Sequence, residues 1–530
     1  MKKLTLFFLG ALSTFFLYPQ TPGTLNLSFG NNGIAFNDFN NKNNISYASV
    51  IQPDGKILLA GRTSNYDVSW PTLMRYDAEG DLDPSFGSNG IKAFIPVNAK
   101  EYIEGMILQP DGKILAIGYR NANDTTRMQL FRLNPDGSFD NTFYGTGHRT
   151  IEFGLAYETF GYDLALQDDG KILAVGLAMD MNQHVQSAIC RINADGSMDE
   201  SFGFNGIVIM DFGNMHNYTN NIALQDDKII VGGISYPFSG GEYDYVTLAR
   251  FNSNGILDAS FGQSGVVNIE FYLDAWISME RGDMCLDNQG RILYGVYVAG
   301  IQSLDFAIFR FLPDGPPDNS FGQYGLTVTD MEKDATIQAL AIQNDGKILA
   351  GGYQSSANGG CDFALVRYRD DGSLDPGFGT DYTGIVITEP NTGASTPFGI
   401  ITSLNIGPNN LIMAGGYVTN YAGNNDFALA AYYSGLSVDI SSNENERFGL
   451  SVFPNPFEEE TLVRFELQER TYVKAFVVDL YGQHVAIISE RYFAPGSHYL
   501  SWNAEGLAPG IYFLCIRAGE KAYTSKLIKN

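Results

Sequence analysis

A unit of about 57 to 60 residues runs seven times through this chain, and no other feature restricts its folding as tightly. The second copy reads Leu82-Asp83-Pro84-Ser85-Phe86-Gly87, then Gly90-Ile91, then Gln109-Pro110-Asp111-Gly112-Lys113-Ile114-Leu115, then Phe131-Arg132-Leu133-Asn134-Pro135-Asp136-Gly137. The phenylalanine of the first block recurs at Phe29, Phe86, Phe143, Phe202, Phe261, Phe321 and Phe378. Each unit holds four short strand candidates: after Gly-Ile (Ile91 to Ile95), before the Asp-Gly turn (Gly105 to Gln109), after it (Lys113 to Gly118), and around the arginine (Gln129 to Leu133). Asp-Gly supplies the left-handed residue of a tight hairpin, so the middle two strands pair. The strand after the turn is continuously apolar (Ile57 to Ala60, Ile172 to Val175), as a strand covered on both faces must be.

Four-stranded sheets repeated seven times and stacked face to face predict an all-β, seven-bladed β-propeller, with a linear β-solenoid as the alternative. The ends of the array favour the ring. The chain enters on the strand at Gly33-Ile34 without the three that should precede it, and leaves near Tyr433 without the fourth. Joining the ends completes one sheet. Arginine holds one position in six copies (Arg75, Arg132, Arg191, Arg250, Arg310, Arg367), and aspartate another in six (Asp83, Asp140, Asp199, Asp258, Asp318, Asp375). The exceptions, Ala431 and Asn26, fall in the sheet that closure would create, so the two residue types are expected to pair. The phenylalanines are expected to wedge between neighbouring sheets.

The 530 residues include 33 Lys and Arg against 59 Asp and Glu, a formal charge of -26 that repels polyanions and argues against nucleic acid as a partner. Met1-Lys2-Lys3 followed by an uncharged Leu- and Phe-rich run reads as a signal peptide over residues 1–19, too short to span a bilayer, and no later stretch is long enough. Cys190, Cys285, Cys361 and Cys515 lie far apart with no metal spacing; buried thiols are expected, and a bridge between two of them stays open. The five histidines form no metal motif, and no nucleophile elbow, phosphate loop or dinucleotide fingerprint occurs. The Asp-rich turns lack the twelve-residue calcium loop. No catalytic residue, metal or cofactor is assigned.

After a polar linker over 436–447, residues 448–530 carry nine acidic and eight basic residues, leaving nearly all the negative charge on the repeats. Strand patterns at Leu462 to Phe465, Val473 to Val478 and Tyr512 to Ile516 predict a small immunoglobulin-like antiparallel sandwich.

With Leu-Asp-x-Ser-Phe-Gly and Gln-x-Asp-Gly-Lys-Ile-Leu in succession, residues 25–435 resemble the delta-60 repeat, a propeller-like repeat of exported bacterial proteins that brings no catalytic residues with it. The blocks Val452-Phe453-Pro454-Asn455-Pro456-Phe457, Val478-Asp479-Leu480-Tyr481-Gly482-Gln483, Leu507-Ala508-Pro509-Gly510-Ile511-Tyr512 and Lys526-Leu527-Ile528-Lys529 resemble the C-terminal type A sorting domain of the type IX secretion system of Bacteroidetes. That resemblance implies passage by the type IX machinery to the cell surface or medium.

Two kinds of connection fall on each rim of such a ring. The Asp-Gly hairpin and the Ser-Phe-Gly loop repeat nearly unchanged on one rim, while the other carries connections that vary in length and hold Tyr66, Trp70, Tyr236, Tyr243 and Trp276. A varied, aromatic-bearing rim suits recognition. These five are the candidate ligand contacts, and the function expected is that of a surface or secreted module binding a glycan or protein. A structural adhesion component and a polysaccharide-active enzyme are the alternatives.

Overall fold

The computed structural model describes residues 21–65, 68–95, 99–153, 156–210, 215–237, 244–271, 282–299, 303–407, 410–435, 448–467, 470–478, 484–518 and 521–530. The expected signal peptide and linker lie outside them. The chain divides into two compact units at Gly435 and Leu436.

In the first unit the strands form four-stranded antiparallel sets in simple up-and-down order, two of them joined into one sheet by a parallel bridge between Ser69 and Lys100. Glu158–Leu166, Ile172–Met179, Val185–Ile192 and Ile207–Met210 make one such sheet, with Leu164 opposite Ala174 and Ala174 opposite Cys190. The first strands Asn43–Ile51, Lys100–Leu108, Glu158–Leu166, Met215–Gln225, Asp283–Leu286, Ala335–Ile342 and Gly399–Ile406 each touch the next, and the last touches the first. Strands in the second position are buried on both faces: Ile172 to Val175 are fully inaccessible. Their turns need a left-handed residue, which Gly112 supplies at φ 82°; in the two turns that lack this glycine, Asp226 and Asn410 hold the same region at 54°.

The ends of the array meet. Ile34–Asn37 pairs with Asn425–Tyr433, Ile34 opposite Ala430 and Ala35 opposite Leu429, and completes the sheet begun by Gly399–Ile406. On the inner side Ser49 Oγ lies 2.6 Å from Ser403 Oγ, and Asn405 Nδ2 donates to Ser49 Oγ at 2.7 Å.

One polar device repeats between neighbouring sheets. Arginine Nε meets aspartate Oδ2 at 2.7–2.9 Å in all six expected pairs. The guanidinium also crosses to the next repeat: Arg75 donates to the Pro135 carbonyl at 2.6 Å, Arg250 to Pro313 at 2.7 Å, and Arg132, Arg191, Arg310 and Arg367 to Ala194, Ser253, Asp370 and Ser434. Each stacks on the phenylalanine of its repeat, 4.4–4.7 Å from the ring centroid. Those phenylalanines are at most 1% exposed and sit in cores shared by adjacent sheets; Phe202, for example, packs with Leu173 and Ile189 on one side and Ile229 and Val231 on the other. The backbone amide after each phenylalanine donates to the following repeat: Gly87 to Asp136 at 3.1 Å, Gly203 to Asn254 at 3.0 Å, Gly262 to Asp314 at 2.8 Å. Gly379 closes the series on Pro22 at 2.8 Å.

The turn lysine completes the device. Lys56 Nζ lies 3.0 Å from Asp83 Oδ2 and Lys171 Nζ 3.1 Å from Asp199 Oδ2; Arg291, standing where other copies have lysine, comes within 3.9 Å of Asp318. Burial opposes the charge of Asp83, yet hydrogen bonds from Ser85 and Lys56 and the charge of Arg75 outweigh it and hold the carboxyl well below its ordinary range. None of the four cysteines is in a disulfide.

The second unit contains a three-stranded sheet (Ser451–Phe453, Glu460–Leu467, Gly496–Asn503) and a four-stranded one (Thr471–Val478, His484–Phe493, Gly510–Ala518, Lys521–Lys529). Val463, Phe465 and Trp502 of the first share one core with Val473, Leu514 and Leu527 of the second.

Candidate functional site

The first strands carry a bulge at the same place in six sheets, at Tyr47, Glu104, Tyr162, Asn220, Gln338 and Thr402, and the register puts Gly282 there in the fifth. A glycine on the neighbouring strand makes the bulge possible: a Cβ on Gly118 would collide with the Tyr102 carbonyl oxygen, and one on Gly61 with that of Ile45. The bulge residues line a central cavity of about 180 Å³ together with Asp163, Asn221, Asp283 and Ser403.

Towards the varied rim the cavity opens beneath a collar of aromatic rings. Tyr102 stacks on Tyr119 at 4.6 Å, and Tyr119 meets Phe160 edge-on at 5.1 Å and lies 6.5 Å from Tyr162. Further round, Tyr218 and Tyr236 stack at 5.4 Å with their hydroxyls 3.0 Å apart. Tyr417 lies close enough to Tyr47 and Tyr353 that, after burial, their charges raise its phenol above the ordinary range. The Arg62 guanidinium is 5.0 Å from the Tyr102 centroid and 5.9 Å from that of Tyr47. Burial works against its charge, while Tyr47, Tyr102 and Glu104 more than restore it.

The cavity is acidic. Asp283 accepts from the amides of Met284 at 2.8 Å and, across to the sixth sheet, Leu340 at 2.7 Å; Asp163 accepts from Ile222 in the fourth at 3.0 Å. Burial, with the Asp163 charge adding, pushes Asp283 up to about 7. Arg62 Nε, Asn220 Oδ1 and Asn221 Oδ1 have no hydrogen-bond partner among the described residues.

Folded Asp283 keeps a proton between about pH 4 and 7 that the unfolded chain releases, so its contribution to stability is complete below about pH 4, declines as pH rises to about 7, and is flat above. Asp283→Asn removes that slope. Urea unfolding is expected to show the wild-type advantage over the variant shrinking by about 1–3 kcal/mol between pH 5 and pH 8; an unchanged difference would contradict the assignment.

Of the five sequence-derived candidates, Tyr236 joins the collar as a half-buried ring. Its other face lies 5.0 Å from His216, which in turn is 6.2 Å from His184. Trp70 is 6% exposed, a core residue at the base of its connection, and this corrects its expected position as a surface contact. Tyr66, Tyr243 and Trp276 lie outside the described residues. Sequence reasoning missed the collar tyrosines, although a signal existed: the residue five after the first isoleucine of the second strand is Arg62, Tyr119, Tyr297, Tyr353 and Tyr417 in five repeats. Among the described residues no group of three or more His, Cys, Asp or Glu side chains could hold a metal ion.

The family model described as "Domain of unknown function (DUF5122) beta-propeller" matches residues 52–86, 109–143, 167–202, 224–261, 290–321 and 343–378, and the model described as "Secretion system C-terminal sorting domain" matches 451–530. The chain carries propeller repeats and a type IX sorting domain. The sorting domain marks the propeller protein for export to the outer surface or beyond. No helix among the described residues is long and apolar enough to cross a membrane. No curated protein matches the chain.

Among solved structures, the repeats are similar to a PL25 polysaccharide lyase, an ulvan lyase bound to -[GlcA(1-4)Rha3S]-, at 10% identity and a TM-score of 0.41, covering 76% of this chain and 95% of that one. Sqt1 of Chaetomium thermophilum is 12% identical at a TM-score of 0.37, covering 74% and 85%. The PQQ-bound aldose sugar dehydrogenase of Streptomyces coelicolor is 13% identical at 0.35, covering 60% and 91%.

Proposed function

We propose that the repeats form a seven-bladed propeller closed by the N-terminal strand, that the tail is an immunoglobulin-like sandwich, and that the exported ring is a binding module without catalytic residues. Its ligand is a glycan or a protein, taken on the varied rim at the mouth of the central channel. The observation that carries this reading is the collar of tyrosines around Arg62, set over a cavity in which Asn220 Oδ1 and Asn221 Oδ1 have no hydrogen-bond partner among the described residues. Half-buried rings with a polar tip present large contact area at low entropic cost. On the uniform rim, by contrast, Lys56, Arg75 and Asp83 are engaged with one another in the Arg–Asp–Lys device.

The test is retention of the full chain on a glycan array and on a panel of immobilised extracellular proteins, wild type against Tyr119→Ala with Tyr353→Ala. Loss of roughly tenfold or more in affinity is expected, the effect of about 1.4 kcal/mol. Undiminished binding by the folded double variant would move the site elsewhere.

A further inference from the structure

The chemistry of the channel mouth narrows the ligand, an inference that rests on the binding reading above. Three observations bear on it. Successive sheets bring half-buried tyrosines together here, Tyr417, Tyr47, Tyr102, Tyr119, Tyr162 and Tyr218, of which Tyr47 and Tyr162 line the cavity itself. Charges of both signs lie close together: Glu104, Asp163 and Asp283 line the cavity, and Arg62, against the ring of the lining residue Tyr47, is near enough to Glu104 to feel its charge. Unpartnered atoms of both kinds are present, the Arg62 Nε donor and the Asn220 and Asn221 Oδ1 acceptors, and Asn221 is 8% exposed.

A cationic ligand suits the rings and carboxylates but is repelled by Arg62, which already occupies the face of Tyr102. An anionic ligand suits Arg62 but meets the carboxylates below and the net charge of -26 outside. A neutral molecule bearing donors and acceptors on every side and an apolar face for stacking satisfies all three observations. We infer that the mouth binds the end of a neutral saccharide, one terminal sugar entering the cavity with its hydroxyls on Asn221 and Arg62 and its ring against the tyrosine collar. The cavity, about 180 Å³, is below the ~300 Å³ at which drug-sized ligands are housed, so it takes one ring and leaves the rest of the chain on the rim.

The experiment is calorimetric titration of the full chain with cello-, malto-, xylo- and manno-oligosaccharides, with alginate oligomers and hexalysine as charged controls. Folding of Tyr119→Ala, Arg62→Gln and Asn221→Ala is checked by thermal melts, and saturation-transfer NMR of the wild type reports which sugar protons lie against protein. At least one neutral oligosaccharide is expected to bind saturably, with strongest transfer to its terminal ring and roughly tenfold weakening in each folded variant. Absence of neutral binding, or preference for alginate or hexalysine, overturns the saccharide class. Charged-ligand binding that the variants weaken would still leave the mouth a binding site. Binding of any panel member undiminished in all three variants removes both the class and the site.

Discussion

Arg310→Ala lowers the unfolding free energy by about 3–5 kcal/mol, the cost of leaving a buried carboxylate without its partner. Arg310 is 1% exposed and Asp318 4%, and the guanidinium bridges the sixth repeat's turn at Asp370 while lying 4.5 Å from the Phe321 centroid. The loss is therefore felt in two sheets. Urea midpoints of single and paired variants check it: Arg310→Met with Asp318→Leu is expected to recover most of the loss, because replacing both charges with apolar groups removes the unpaired ion. The closing sheet already contains a natural version of that double change. Ala431 and Asn26 stand at the two positions, the Asn26 amide donates to the Ala431 carbonyl at 2.8 Å, and the Tyr433 hydroxyl donates to Asn26 Oδ1 at 2.9 Å. A single variant as stable as the wild type would mean that the pair contributes nothing beyond its shape.

Deleting residues 21–37 has a larger effect, the loss of a stable monomer. The deletion removes Phe29 and Ala35 from a core containing Leu59, Met74 and Leu429 and Ile34 from one containing Phe378, Ala430 and Tyr432, and uncovers the backbone edge of Asn425–Tyr433. Losing Phe29 alone costs about 3–5 kcal/mol, a large share of the 5–15 kcal/mol that keeps a typical protein folded. An open edge flanked by fully buried residues then invites pairing with another chain. Size-exclusion chromatography is expected to find aggregate, and a synthetic peptide of residues 21–37 added during refolding is expected to restore monomer by strand addition. A monomeric, cooperatively unfolding deletion variant would show that closure is dispensable.

Much of this architecture was legible because the repeat states its rules seven times. Arg75 and Asp83 could be paired from sequence because their absence coincides at Ala431 and Asn26, and Phe202 could be set between sheets because nothing else explains a bulky residue at a fixed turn. The channel mouth was harder to read. Whether Glu104 or Tyr162 points inward depends on a bulge, and the bulge depends on a glycine in the neighbouring strand, a relation across two strands that no single-strand periodicity contains. Trp70 was chosen for its place near a varied connection, but the strand Ser69–Tyr76 begins one residue before it and carries it into the core. The lysine of Asp-Gly-Lys received no role from the sequence, whereas Lys56 and Lys171 complete the ion triads.

The hydrogen bonds that pass from each repeat to its successor, and from Gly379 back to Pro22, make every repeat an interior one. Linear arrays need special caps because their outermost members have one bare face; here none does. A protease cutting one exposed connection would leave both fragments clasped by neighbours on either side, so the circle tolerates a nick that would unravel an open stack. For a protein sent outside the cell, where peptidases are common and no chaperone waits, that redundancy extends its working life.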